Sequence, residues 1–131
     1  KNDCELVALK NKIAFKWNTK FPINSIHLMR GYLIISDDIK DKFFDICFDA
    51  YWKNDIDISN EKNVGEILDL VKIDKKKFFK DIQDIKTKDK LKNLTNDAFE
   101  KDIFGAPTFV VNEKIFWGQD RLDYALDEYN S

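Results

Sequence analysis

Gly105-Ala106-Pro107-Thr108-Phe109-Val110-Val111, then Asn112-Glu113, then Lys114-Ile115-Phe116-Trp117 and Gly118-Gln119-Asp120-Arg121, is the stretch on which the fold turns. Thr108–Val111 and Lys114–Trp117 are rich in β-branched and aromatic residues, and Asn112-Glu113 between them is a tight turn, so a β-hairpin is expected. After Gly118 the period lengthens, and Leu122, Ala125, Leu126 and Tyr129 mark a last helix. Two strands do not form a stable sheet alone. The hairpin therefore calls for further strands, and upstream only Ile13–Trp17 alternates apolar with polar residues.

Elsewhere the apolar spacing is helical. Leu6, Leu9 and Ile13 mark a first helix from about Asn2 that ends near Asn11-Lys12. Beyond Pro22, Asn24 or Ser25 caps a helix carrying Ile26, Met29, Arg30 and Leu33. Ser36 opens a third, with Asp37 and Asp38 in its positive first turn and Ile39, Phe43, Phe44, Cys47, Phe48 and Tyr51 as its apolar face, ending at Trp52. Ser59 is expected to cap a helix with Val64, Ile67, Leu68 and Val71. Asp74 is expected to cap a short one with Phe78, Phe79 and Ile82. A sixth runs from about Lys88 to Lys101 with Leu91, Leu94 and Ala98 on one face.

The chain has 131 residues, 44% hydrophobic and 14% aromatic, enough for a real core. A formal net charge of -2 argues against a nucleic-acid binder. One His and two cysteines, Cys4 and Cys47, cannot close a zinc site, and the four glycines lie too far apart for a phosphate loop. No apolar run reaches the ~20 residues of a membrane span, and the lysine-rich composition with two inert thiols suits a reducing cytoplasm. Charge is uneven: Asp37–Asp69 holds ten acids against four lysines, and Lys72–Lys92 holds nine lysines against four acids. Interleaved acids and the lack of arginine there read as two solvated helical faces that complement each other, rather than a patch for nucleic acid.

Three features carry chemistry. Proline cannot donate to a strand ladder, so Pro107 belongs at a strand edge or in a cis turn, and such a bend leaves the backbone of Ala106 open to an extended peptide. Trp117-Gly118-Gln119-Asp120-Arg121 joins a strand end to a helix N-terminus. Its N–H groups suit a carboxylate and Asp120 suits an ammonium, unless Asp120 is only a helix acid beside Arg121. Phe21-Pro22-Ile23-Asn24-Ser25 could line a pocket for a planar acid or simply cap a helix with a hydrophobic staple. His27 reads as an ordinary helix histidine, and no Ser-His-Asp or Cys-His arrangement is visible.

In this order, Phe104-Gly105-Ala106-Pro107-Thr108-Phe109-Val110-Val111 followed by Phe116-Trp117-Gly118-Gln119-Asp120-Arg121-Leu122 resembles the C-terminal signature of 2-hydroxychromene-2-carboxylate isomerases. These are DsbA-like thioredoxin-fold proteins related to kappa-class glutathione transferases. Phe21-Pro22-Ile23-Asn24-Ser25, Met29-Arg30-Gly31 and Ala50-Tyr51-Trp52 followed by Asp57-Ile58 match the helical region of that family, and the similarity covers essentially the whole chain. The implied fold is α/β, thioredoxin-like, with an all-helical insertion. Residues 1–21 would be the end of a linker helix and a connector, 22–103 the insertion, and 104–131 the C-terminal β-β-α.

The resemblance further implies that Pro107 is the cis-proline of the fold and that Ala106 pairs its backbone with the cysteinyl part of glutathione as cofactor. Trp117, Gly118, Gln119 and Asp120 would receive the γ-glutamyl end, with Asp120 facing its ammonium. Phe21, Ile23 and Asn24 would face the substrate, a small aromatic carboxylate. The family more often has Val before the proline, but that contact is made through backbone. It also begins with a strand-helix-strand unit bearing a Ser-Pro-aromatic motif, whose serine activates the thiol; such a unit takes ~30 residues or more. Neither it nor an initiator Met is found here, so the chain reads as an inactive fragment that holds no catalytic residue of its own. The expected parent is a glutathione-dependent isomerase without nucleic-acid, membrane or metal partners, self-association as a homodimer staying open. The alternatives are a DsbA-type thiol-disulfide oxidoreductase or kappa-class glutathione transferase, and a non-catalytic helical binding module.

Overall fold

A computed structural model describes residues 1–131. The elements run α1 (Asn2–Lys10), α2 (Ile26–Tyr32), α3 (Asp37–Trp52), α4 (Glu61–Leu70), α5 (Lys75–Asp81), α6 (Ile85–Glu100), β1 (Thr108–Val111), β2 (Lys114–Trp117) and α7 (Leu122–Tyr129), with a 3-10 turn at Gln119–Arg121. The chain forms two compact units, Lys1–Leu91 and Lys92–Ser131, the boundary falling inside α6. No helix is long and apolar enough to cross a membrane.

Helix ends follow local chemistry. α1, α4 and α6 each stop on a left-handed residue, Lys12, Lys72 and Asp102. In each case the next residue is an isoleucine whose amide reaches back five positions: Ile13 to the Ala8 carbonyl at 2.9 Å, Ile73 to Leu68 at 3.0 Å and Ile103 to Ala98 at 3.0 Å. This is the Schellman closure, met without glycine. At the other ends, Asn24 Oδ1 accepts from the Ile26 amide at 3.0 Å and Asp74 Oδ1 from the Lys77 amide at 2.7 Å, as expected. α4 differs. Its cap is Asn60, which accepts from Lys62 and Asn63, while Ser59 turns its hydroxyl to Asp57.

The first unit is built on Phe43, Cys47 and Tyr51 of α3 packed with Leu28 of α2, Val64, Ile67 and Leu68 of α4, and Phe78 and Ile82 of the α5 region. Phe44 and Phe48, expected in that apolar face, stack on each other at 4.2 Å and stay half-exposed. The i, i+4 rule groups them with Tyr51, but the stripe that meets α4 lies on the Phe43–Cys47–Ala50 side. In α1 only Ala8 is buried, and Leu6, Leu9 and Ile13 are exposed. α6 starts three residues earlier than expected, at Ile85, because Asp84 Oδ1 takes the Lys86 amide at 2.8 Å. Its Leu94 is exposed and only Thr87 is buried. The acidic and basic stretches meet in one ion pair, Lys75 with Asp69 at 2.6 Å.

In the second unit β1 and β2 pair antiparallel in the expected register, Thr108 with Trp117 through Val111 with Lys114. Asn112 and Glu113 both have positive φ, the primed turn that matches strand twist. Asn112 and Lys114 bind Glu128 near the end of α7. The sheet has two strands; Ile13–Trp17 forms none. Of the α7 face only Ala125 is buried, while Leu122, Leu126 and Tyr129 are exposed.

Candidate functional site

The residues singled out from the sequence fall into two groups, one in each unit. In the second unit they gather at the open end of the hairpin. The Ala106–Pro107 peptide is cis. The Gly118 amide donates to the Pro107 carbonyl at 2.9 Å, and Thr108 Oγ1 donates to the Gly105 carbonyl at 2.6 Å. Gly105 makes room for an indole: a Cβ there would lie 2.4 Å from Trp117 Nε1. Trp117 also meets Phe104, ring centres 5.0 Å apart. Ala106 is left exposed, and neither its amide nor its carbonyl is bonded within the protein.

Gly118 has φ 107 and ψ 149, a region essentially reserved for glycine. The turn it makes folds Asp120 back, so that Oδ1 stands 2.6 Å from where a Cβ of residue 118 would be. Asp120 and Gln119 lie in the 3-10 turn, one step ahead of α7, rather than in the first turn of an α-helix. The Asp120 carboxylate is 64% exposed and pairs only with its neighbour, Arg121 Nη1, at 2.8 Å. A pair so exposed contributes little and is readily exchanged for another cation. The Arg121 guanidinium also lies 5.6 Å from the Tyr124 ring centre. The structure thus brings Ala106, Pro107, Trp117 and Gly118 together, with Gln119 and Asp120 adjoining. An unpaired peptide and a carboxylate held only by an exposed arginine can take a ligand that has both an extended backbone and an ammonium group.

In the first unit, Phe21, Ile23 and Asn24 follow one another on the segment leading into α2. The Phe21–Pro22 peptide is also cis. Phe21 is half-exposed, edge-on to Trp17 at 4.9 Å and tilted to Trp52 at 6.1 Å. Ile23 packs on the helical core, and Asn24 commits its oxygen to capping α2. His27 is partly buried on α2. Sequence reasoning passed over what holds this segment. Asn18, 1% exposed, donates through Nδ2 to the Tyr51 carbonyl at 2.9 Å and the Ile56 carbonyl at 3.1 Å, and accepts from the Lys20 amide at 2.8 Å. Asp55 binds Lys16 Nζ at 2.8 Å and both the amide and hydroxyl of Thr19 at 2.7 and 3.0 Å. The Lys16 ammonium first, then the Thr19 amide, hold the Asp55 carboxyl down to about 2. The available signal was a polar pair, Asn18-Thr19, set inside the aromatic run Phe15 to Phe21.

Of the two thiols, Cys47 is buried in the core, and desolvation pushes it up to about 12; Cys4 is exposed on α1. No three His, Cys, Asp or Glu side chains converge as a metal site would need.

Comparison with known proteins adds the following. A 2-hydroxychromene-2-carboxylate isomerase from Sphingobium xenophagum is 50% identical over 32 residues, 24% of this chain and 16% of that protein. A solved 2-hydroxychromene-2-carboxylate isomerase superposes with a TM-score of 0.84 at 20% identity, over 95% of this chain and 61% of that one. The chain thus spans about three-fifths of the length of this relative, and at that identity the likeness is one of fold. The description DSBA-like thioredoxin domain matches residues 1–130. The cis-proline hairpin end, the glycine turn and the helices before them are therefore parts of one known architecture, and the chain belongs to the DSBA-like thioredoxin domain family.

Proposed function

We propose that the chain is the larger part of a glutathione-dependent isomerase acting on 2-hydroxychromene-2-carboxylate or a related aromatic acid in the cytoplasm. The observation that carries the reading is the exposed, unbonded peptide of Ala106 beside the Trp117–Gly118 turn, with the Asp120 carboxylate adjoining. Glutathione has the matching parts: an extended cysteinyl backbone and a γ-glutamyl ammonium. The names of the two similar proteins supply the substrate class.

When bound, glutathione would supply a thiol nucleophile for reversible addition to the conjugated acid. The residues of this chain do the holding. Ala106 offers its N–H and C=O to the cysteinyl peptide, and Pro107 fixes where they point. Asp120 exchanges Arg121 for the γ-glutamyl ammonium, and Gly118 with Gln119 shapes the turn that receives that end. Of the three residues expected to face the aromatic acid, Phe21 keeps an open ring face, whereas Ile23 packs on the core and the Asn24 oxygen is taken by the Ile26 amide. Thiolate stabilisation falls to a residue outside these 131. The thiol-oxidoreductase alternative draws no support from Cys47, which is buried with its thiol held protonated.

Calorimetric titration with glutathione of the complete parent protein tests this. Micromolar-to-millimolar binding is expected, weakened at least tenfold by Asp120→Ala. Absence of heat, or undiminished binding in that variant, refutes the assignment.

A further inference from the structure

The Phe15–Phe21 segment is held more firmly than its own burial explains. Of its residues only Asn18 is buried, and Phe15, Trp17 and Phe21 lie outside the packed core. Yet the segment is fastened to the C-terminal end of α3 at three levels. The Lys16 amide donates to the Trp52 carbonyl at 2.6 Å. Asn18 bridges Tyr51 and Ile56, and its own carbonyl accepts from the Phe21 amide at 3.2 Å. Asp55, left-handed at φ 59, takes Lys16 and Thr19. Around this polar clasp the rings close on Trp52: Phe15 stacks on it at 5.5 Å and Trp17 meets it at 5.6 Å. Phe21 is set against Trp17 with half of its surface left open.

A buried amide that satisfies two carbonyls fixes a unique local conformation, because any displacement strands three polar groups. Here that specificity serves an aromatic face that is open to solvent. An indole edge and a phenyl ring held at fixed mutual angle are a preformed seat for a planar ring, whose ordering cost is removed in advance.

We propose that Asn18 and Asp55 are positioning residues that lock Trp17 and Phe21 into a ready-made seat for the ring of a planar aromatic acid. This rests on the isomerase reading above for the identity of the acid, but not for the seat. Neither residue touches the acid. They act through the segment they hold, so loosening the clasp is expected to weaken aromatic binding while leaving glutathione binding, assigned to residues 106–120, intact.

The test uses the complete parent protein and three variants, Asn18→Ala, Asp55→Asn and Phe21→Leu, with Thr19→Ser as a conservative change that keeps the hydroxyl. Tryptophan emission is titrated with 1-naphthoate as the probe acid, and KM and kcat are measured with 2-hydroxychromene-2-carboxylate. Expected are quenching in the wild type, a five- to tenfold weaker naphthoate Kd and higher KM in the first three variants, kcat within about twofold, unchanged glutathione Kd, and wild-type values for Thr19→Ser. A core variant, Val71→Ala, controls for stability alone. If it raises KM as much as Asn18→Ala does, the clasp is only structural and the proposal falls. Wild-type emission that naphthoate leaves unquenched also overturns it. If naphthoate binds but the chromene acid is not turned over, the isomerase reading fails while the seat stands on the variants' naphthoate Kd.

Discussion

Two helical glycines should respond to the same substitution with opposite sign. Gly31 lies in α2 and Gly65 in the middle of α4. Within a helix, replacing Gly by Ala gains up to about 1 kcal/mol through backbone entropy. At Gly65 nothing opposes this gain. The added Cβ would meet Lys75 Cδ at 3.5 Å, an ordinary van der Waals contact that requires no shift. At Gly31 the new Cβ would lie 2.3 Å from Phe78 Cζ and 2.5 Å from its Cε2. Phe78 is 2% exposed, with Phe43 and Phe79 against its ring at 6.3 and 5.6 Å, so it has nowhere to go. Forcing a methyl into such a site costs about 1–3 kcal/mol, and Gly31 sits too near the end of α2 to recover the full propensity gain. The expected outcomes are Gly65→Ala more stable by about 0.5–1 kcal/mol and Gly31→Ala less stable by about 1–2 kcal/mol. Urea unfolding followed by circular dichroism reads both, as midpoint shifts in opposite directions at unchanged m-value. Adding Phe78→Leu to Gly31→Ala should cost less than the two changes separately, since the leucine vacates the space. A Gly31→Ala midpoint at or above the wild type would refute this packing argument.

Other outcomes follow from local chemistry. Asn60→Ala should cost about 1 kcal/mol as a lost helix cap, and Ser59→Ala much less, although the sequence points to Ser59; paired urea midpoints decide between them. Asp55 titrates lower folded than unfolded, so its stabilisation is present above about pH 4 and is lost as pH falls toward about 2. An Asp55→Asn variant should show a visibly flatter loss of stability across that window, and an unchanged acid profile would contradict the Lys16–Asp55–Thr19 geometry. A thiol reagent should label Cys4 at once and Cys47 only on unfolding, counted by mass spectrometry; rapid double labelling of native protein would contradict the burial of Cys47.

Local chemistry made much of the fold legible. The hairpin came out residue for residue, because the β-branched runs, the Asn112-Glu113 turn and the proline before Thr108 each act within a few positions. The helix ends at Lys12 and Asp74 were readable for the same reason. Aromatic periodicity was less informative. Phe44 and Phe48 sit at good helical spacing, yet which stripe of α3 is buried depends on where α4 lies, and nothing within α3 states that. Ser59 and Asn60 are equally good caps in isolation; Asn60 caps because Ser59 is taken by Asp57.

The candidate site divides in the same way. The chain itself specified its hairpin half: Ala106 and Pro107, the Trp117–Gly118 turn and the Asp120 carboxylate fall within fifteen residues, and the hairpin register with the Gly118–Pro107 hydrogen bond sets the turn beside the proline. Only the tertiary structure disclosed the clasp of Asn18 and Asp55, whose long-range partners lie 33 to 39 residues away along the chain. A polar side chain in sequence is by default a solvated one. It becomes a fixed point when folding surrounds it with carbonyls that have no other donor, and no local pattern encodes that encounter.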